Sequence, residues 1–246
     1  MQTVNKNQGV ALIMGAGDDI GNAIARKFAQ EGYTVCMARR NGAKLQPLVE
    51  AIVKEGGQAQ GFSCDARQEN EVEELFKHIE DNVGPLEVVV FNIGANVPMS
   101  ILETSSKKFY KIWEMACFSG FLTGREAARY MTQRGRGSIL FTGATASVRG
   151  GANFGAFSSA KHGLRALAQS MARELGPKNI HVGHVVIDAM VDTGFINEHL
   201  PEAVKAAGKD GIVNPDDLAD NYVMLHYQPR NAWTFELDIR PWAEKW

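Results

Sequence analysis

Seven short apolar runs alternate with longer amphipathic periods, and this alternation restricts the chain to repeated strand–helix units on a parallel sheet. The runs are Val10–Met14, Thr34–Ala38, Gln58–Cys64, Glu87–Phe91, Ser138–Thr142, Ile180–Ile187 and Trp233–Ile239. Helical periods fall between them at Ile20–Glu31, Ala43–Glu55, Glu69–Asn82, Ser106–Gln133, Phe154–Leu175 and Pro215–Tyr227. The expected fold is α/β, a three-layer doubly wound parallel sheet of seven strands. Ligands of such a sheet sit outside the carboxyl ends of the strands, at the point where strand order reverses. Asp192–Gly211 breaks the repeat and is expected to form a loop with a short helix, placed to cover a site.

The first strand runs directly into Gly15-Ala16-Gly17-Asp18-Asp19-Ile20-Gly21 and then into a helix. Glycine suits this position because the backbone must turn sharply and approach a diphosphate closely, while the helix start offers free N–H groups and a positive dipole end. Three glycines are weak evidence alone, and their placement between the first strand and first helix is the context that gives them meaning. The arrangement is that of a Rossmann dinucleotide site, with Gly15, Gly17, Asp19, Ile20 and Gly21 at the diphosphate. Strand two ends in Ala38-Arg39-Arg40. An acidic residue there would accept from the ribose hydroxyls of NAD, whereas Arg39 and Arg40 can pair with the extra phosphate of NADP, so NADP(H) is favoured over NAD(H). Asp18 would weaken phosphate binding somewhat.

The bulk numbers agree with a small-molecule role. At 246 residues without a Pro/Ser-rich or charged linker, the expected organisation is a polar tail over 1–8 and one domain over 9–246. A formal charge of −2 gives no electrostatic footprint for nucleic acid or an anionic membrane. With no apolar stretch long enough to span a bilayer and no signal-type segment, a cytoplasmic location is expected. Cys36, Cys64 and Cys117 lack the close pairing of zinc or redox motifs. His181 and His184, three apart on a strand, should face opposite ways, so no metal site is expected.

Over nearly its whole length the sequence resembles the short-chain dehydrogenase/reductase family. The residues that carry the likeness are the Gly15/Gly21 loop, Cys64-Asp65 after strand three, Phe91-Asn92-Ile93-Gly94 after strand four and Val191-Asp192-Thr193 after strand six. The resemblance implies that Asp65 hydrogen-bonds the adenine, that Asn92 and Gly94 belong to the segment bracing the central strands, and that Val191 and Thr193 hold the nicotinamide carboxamide. Asp19 stands where the family has glycine, and the usual Pro-Gly appears as Asp188-Ala189 or Ile187-Asp188, depending on register.

The catalytic segment departs further. Where the family carries Tyr-x-x-x-Lys, this chain has Phe157-Ser158-Ser159-Ala160-Lys161. Ala144 stands at the serine position and Cys117 at the fourth-helix asparagine, so Lys161 alone remains as catalytic residue, with an implied second role on the nicotinamide ribose. Carbonyl reduction places negative charge on oxygen, and a donor must stabilise that oxygen and deliver a proton. Phenylalanine cannot. Losing the acid typically costs about 10²–10⁴ in rate. Thr142, Thr145, Ser147, Asn153, Ser158, Ser159, His162 and Asn96 are possible substitutes in neighbouring segments. Two functions follow: an NADP(H)-dependent oxidoreductase with a non-standard site, acting on a small carbonyl, alcohol or activated alkene, or a non-catalytic nicotinamide-dinucleotide sensor or scaffold.

Small residues on the fourth and fifth helices (Gly120, Gly124, Ala127 and Ala128; Ala160, Gly163, Ala166 and Ala168) suggest close helix packing, and in the family these helices form a subunit bundle. A homodimer or homotetramer is expected. The aromatic chain end, Arg240-Pro241-Trp242 through Trp246, is read as a second intersubunit contact.

Overall fold

The computed structural model describes residues 9–17 and 19–244. The polar tail over 1–8, Asp18 and Trp246 lie outside the described residues. Seven parallel strands form one sheet in the order β3-β2-β1-β4-β5-β6-β7. They are β1 (Val10–Met14), β2 (Thr34–Arg39), β3 (Gln58–Ser63), β4 (Leu86–Phe91), β5 (Ser138–Thr142), β6 (His181–Ile187) and β7 (Glu236–Ile239). Strand order reverses between β1 and β4, which places the expected crevice at their carboxyl ends.

The alternation of strand side chains divides the core into two faces. Val10, Leu12 and Met14 of β1 join Val89 and Phe91 of β4 on one side. There they meet α3 (Glu69–Asn82), α5 (Ser119–Arg134) and α6 (Gly155–Leu175) through Phe76, Leu122 and Leu164. Ala11, Ile13, Val88 and Val90 face the other way, onto α1 (Ile20–Gln30), α2 (Gln46–Lys54) and α9 (Pro215–His226) through Phe28, Ile52 and Leu218. Local chemistry sets the helix ends. Asn214 accepts from the Asp216 N–H ahead of Pro215, and Asp216 and Asp217 meet the positive end of α9. Gly135 closes α5 in the left-handed conformation at φ 67°.

Several boundaries differ from the sequence reading. Trp233–Phe235 precedes β7 rather than belonging to it, because Gln228 takes the Thr234 N–H (2.7 Å) that a ladder would need. The second helix begins with a tighter 3-10 turn over Gly42–Leu45. The long helix starting at Ser106 is interrupted: α4 (Ser106–Trp113) passes through a π turn at Glu114–Phe118 before α5 begins. The rings of Tyr110, Trp113, Phe118 and Phe121 follow one another along this helix at centroid spacings of 6.2, 5.9 and 6.0 Å. Asp192–Gly211 holds two short helices, α7 (Gly194–His199) and α8 (Pro201–Ala207), rather than one.

Most of the small residues of the fourth and fifth helices pack against the chain's own interior, while Ala166 is exposed and Ala128 half-buried. A β-carbon at Gly120 would lie 2.5 Å from Leu164, and one at Gly124 would lie 2.9 Å from the Phe141 ring. Ala127, Ala160 and Ala168 are likewise buried. The size of these five is accounted for by packing within one chain. His181 and His184 engage different partners, the Thr234 carbonyl and the Glu236 carboxylate, and no cluster of metal-ligating side chains occurs among the described residues.

Candidate functional site

The glycine loop is anchored before it can hold anything. The N–H groups of Gly15 and Ala16 both donate to the Ala38 carbonyl (2.9 and 3.1 Å), tying the loop to the end of β2. Gly15 has φ +90°, and a β-carbon there would strike Ile93 at 2.5 Å. Gly21 is equally constrained, with Ala16 Cα only 2.7 Å from where a β-carbon would sit. Gly17 and Gly94 differ, since a β-carbon at either would meet nothing within 4 Å. Packing does not require glycine there, so bare backbone faces open space.

That space is a cavity of about 580 Å³ at the carboxyl ends of β1 to β4. Gly15, Gly17, Asn92 and Gly94 form its middle, and Arg39, Arg40 and Asp65 stand at the β2–β3 end. Asn92 donates from Nδ2 to the Gly15 carbonyl (3.3 Å), joining the ends of β4 and β1. The remaining positions expected from the sequence lie off this wall. Ile20 and Gly21 begin α1 behind the loop. The Asp19 side chain makes no cap on α1, and its Oδ1 instead accepts from the Gly194 N–H (3.2 Å), linking the loop to α7. Thr193 caps α7 through the Ile196 N–H, and Val191 is bridged to Val213.

Sequence reasoning missed Lys44, Arg67, Met115 and Ser119, which also line the cavity. Arg67 is gripped by Asp65, whose Oδ1 accepts from Arg67 Nε (2.9 Å) and from the Arg67 N–H (3.2 Å), while Oδ2 accepts from Nη2 (2.5 Å). These bonds hold the Asp65 carboxyl below its usual range. The available signal was the Asp-x-Arg spacing, which lets an aspartate close a turn on the residue two ahead.

A second cavity, of about 380 Å³, opens at the ends of β5 and β6 beside α6. Ala144 and Phe157 line it, so neither presents a proton donor. Asn96, Thr145, Arg149 and Ser158 supply its polar edge. The other proposed substitutes are otherwise occupied: Thr142 bonds Tyr222 Oη (2.7 Å), Ser147 accepts from the Ala144 N–H (3.0 Å), and Ser159 donates to the Gly155 carbonyl (2.7 Å). His162 Nδ1 meets the Ser158 carbonyl at 2.9 Å, and Asn153 adopts φ 67° in the loop before α6. Beneath this cavity Asp188 is 1% exposed. Thr145 donates to its Oδ1 (2.6 Å), Arg149 Nη2 lies 3.0 Å from Oδ1, and Arg240 Nη2 lies 3.4 Å from Oδ2. A buried carboxylate requires such pairing, and here it joins the ends of β5, β6 and β7.

Lys161 lies between the two cavities and lines neither. It is 3% exposed, and Nζ donates to the carbonyls of Thr142 (2.8 Å) and Ile93 (3.2 Å). Burial pushes its pKa down to about 8. The Phe157 ring centroid is 5.9 Å from Nζ. Burial also pushes the Cys117 thiol up, with the Lys161 charge pulling the other way.

The short chain dehydrogenase sequence profile matches residues 9–203. This chain belongs to the short-chain dehydrogenase/reductase family. Family members are oxidoreductases, and the Rossmann-type sheet agrees with that of solved members. A crystal structure of a short-chain dehydrogenase from Rhodopseudomonas palustris is 50% identical, covers 95% of this chain and 98% of that one, and superposes with a TM-score of 0.82. A short-chain dehydrogenase/reductase of Armillaria gallica is 32% identical over 74% of this chain and 71% of its own length. A metagenomic short-chain oxidoreductase solved in complex with NADP is 25% identical, with a TM-score of 0.80 over 94% of this chain and 96% of that one.

Proposed function

We propose that this chain is an NADP(H)-dependent oxidoreductase with a non-standard active site, acting on a small carbonyl, alcohol or activated alkene. The observation that carries the reading is a cavity whose middle is bare glycine backbone and whose β2 end gathers Arg39, Arg40 and Lys44. Glycine backbone at Gly15 and Gly17, with the N–H groups that begin α1 at Ile20 and Gly21, suits a diphosphate, and Arg39 and Arg40 suit a ribose phosphate. The NADP bound to the metagenomic relative supports the same cofactor. When bound, the nicotinamide supplies a hydride donor or acceptor.

The chain's own residues take the following parts. Asn92 and Gly94 shape the middle of the cavity, Asp65 fixes its adenine end, and Asp19 holds the loop against α7. Val191 and Thr193 are assigned to the carboxamide, and Lys161 to the ribose hydroxyls. The 380 Å³ cavity is assigned to substrate. Its apolar wall at Ala144 and Phe157 favours an activated alkene, whose reduction leaves charge on an already stabilised group and can draw its proton from water. A cytoplasmic homodimer or homotetramer completes the proposal; exposed Phe109, Tyr110, Phe121 and Trp242 offer surface for it.

The same apolar wall is also what a non-catalytic dinucleotide sensor would show. NADPH consumption with aldehydes, ketones, quinones and enones, run beside Phe157→Tyr/Ala144→Ser, separates the two readings. Turnover of an enone or quinone by the native protein supports the enzyme. Tight NADPH binding with turnover only in the double variant, by about 10²-fold or more over native, identifies the sensor.

A further inference from the structure

A guanidinium recognises ligands in two ways, with its N–H edges toward oxyanions and with its flat face toward π-systems. At Arg67 one edge is already committed, and a second carboxylate stands near the other. Asp65 takes both Nε and Nη2, at 2.9 and 2.5 Å, and Nη1 stands 3.8 Å from Glu114 Oε2. The charge is therefore matched by two carboxylates, and a phosphate approaching this group would meet both of them. The other cations of the cavity, Arg39, Arg40 and Lys44, come from the β2 side.

The side chain is also held still. Asp65 accepts from the Arg67 N–H as well as from its side chain, the Gln68 N–H closes on the Asp65 carbonyl (2.8 Å), and the Asp65 N–H is itself fixed by Glu71 Oε2 (2.8 Å). A planar group fixed in a cavity wall, with one edge taken by Asp65 and its charge offset by two carboxylates, has a face left to offer. Such a surface suits a flat, neutral heterocycle.

We infer that Arg67 is a stacking platform for the adenine ring, selecting a purine and not the phosphate beside it. The inference rests on reading the 580 Å³ cavity as a dinucleotide site. Arg67 then divides the labour of the cavity with its neighbours: Arg39 and Arg40 distinguish NADPH from NADH, while Arg67 strengthens both alike.

Titration calorimetry on the full chain tests this with four probes: NADPH, NADH, 2′,5′-ADP, which carries adenine without nicotinamide, and nicotinamide mononucleotide, which carries no adenine. Arg67→Ala is expected to weaken NADPH, NADH and 2′,5′-ADP by about tenfold each and to leave nicotinamide mononucleotide unchanged. Arg67→Lys, cationic but not planar, should behave like Arg67→Ala, whereas Arg67→Phe, planar but uncharged, should stay within about threefold of native. A loss confined to NADPH and 2′,5′-ADP would overturn the inference in favour of phosphate pairing. So would unchanged affinity in Arg67→Ala, or an Arg67→Phe variant as weak as Arg67→Ala. If the native chain binds none of the adenine nucleotides, the dinucleotide reading itself fails and takes this one with it; native binding with an indifferent Arg67 sinks this one alone.

Discussion

The two halves of the sheet carry cavities of different character. At the ends of β1 to β4, open backbone at Gly17 and Gly94 meets a cluster of cations, a surface chemically ready for a phosphorylated ligand. At the ends of β5 to β7, Ala144 and Phe157 line the cavity, and a network of charged and polar groups lies beneath it at Asp188. One half is built around what it could bind, the other around its own internal charge. The comparison teaches that binding and turnover can diverge on one scaffold, because their residues sit on separate strands and pack through separate contacts.

The largest expected effect breaks the first half of that comparison. Gly15→Ala combines a positive φ with a β-carbon 2.5 Å from Ile93, and should lower stability by about 2–3 kcal/mol and NADPH affinity by about 100-fold or more. Gly17→Ala fills only open space; melting should be unchanged while NADPH weakens about tenfold in calorimetry. Native-like affinity in Gly17→Ala would show that the bare backbone does not face the diphosphate.

The second half is tested by pH. The buried Lys161 ammonium has its pKa pushed from 10.5 down to about 8. Below pH 8 both folded and unfolded chains hold this proton, and the folded state bears the full burial penalty. Between about pH 8 and 10.5 the folded chain has released the proton and the unfolded chain still binds it, so stability from this group rises with pH. The gain across the window is of order 3 kcal/mol. Denaturant titrations of Lys161→Met should show that slope removed; an identical slope would place Lys161 in contact with solvent.

A smaller effect sharpens the contrast at the adenosine end. Arg40→Ala should weaken NADPH by about tenfold, the scale of one charge-assisted hydrogen bond, and leave NADH within about twofold. Equal loss for both cofactors would remove the argument for NADP preference. Smallest is Trp242→Ala. The ring is 82% exposed, so stability of a single chain should change by no more than about 0.5 kcal/mol. Light scattering then decides whether the ring is a subunit contact: an oligomer that dissociates supports the assembly proposal, and an unchanged one counts against a role for this end of the chain.

The legible parts of this molecule were those written locally. Val10–Met14 and Gly15–Gly21 announce strand, turn and helix within a dozen residues, and the apolar periods gave all seven strands to within a few positions of their ends. The Asp188 network was not legible, since Thr145, Arg149 and Arg240 come to one carboxylate from segments up to 95 residues apart, with no periodicity to connect them. The seat of Lys161 was hidden for a related reason. Its spacing after Phe157 gave the helix face, but its partners are backbone carbonyls on β5 and after β4, which no side-chain pattern reports. The small residues of α5 can be read in two ways from sequence, because close approach to a sheet and close approach to a second subunit call for the same glycine.

The π turn at Glu114–Phe118 has a consequence for anyone who edits this helix. An extra residue in one turn advances every later side chain by about 100° relative to an uninterrupted α-helix. Leu122 and Met131 reach the sheet, and Met115 and Ser119 reach the larger cavity, in the phase that this wider turn sets. Deleting one residue here would tidy the coil and turn α5 away from the sheet it covers. A conservative exchange of any single side chain in the turn would preserve that alignment.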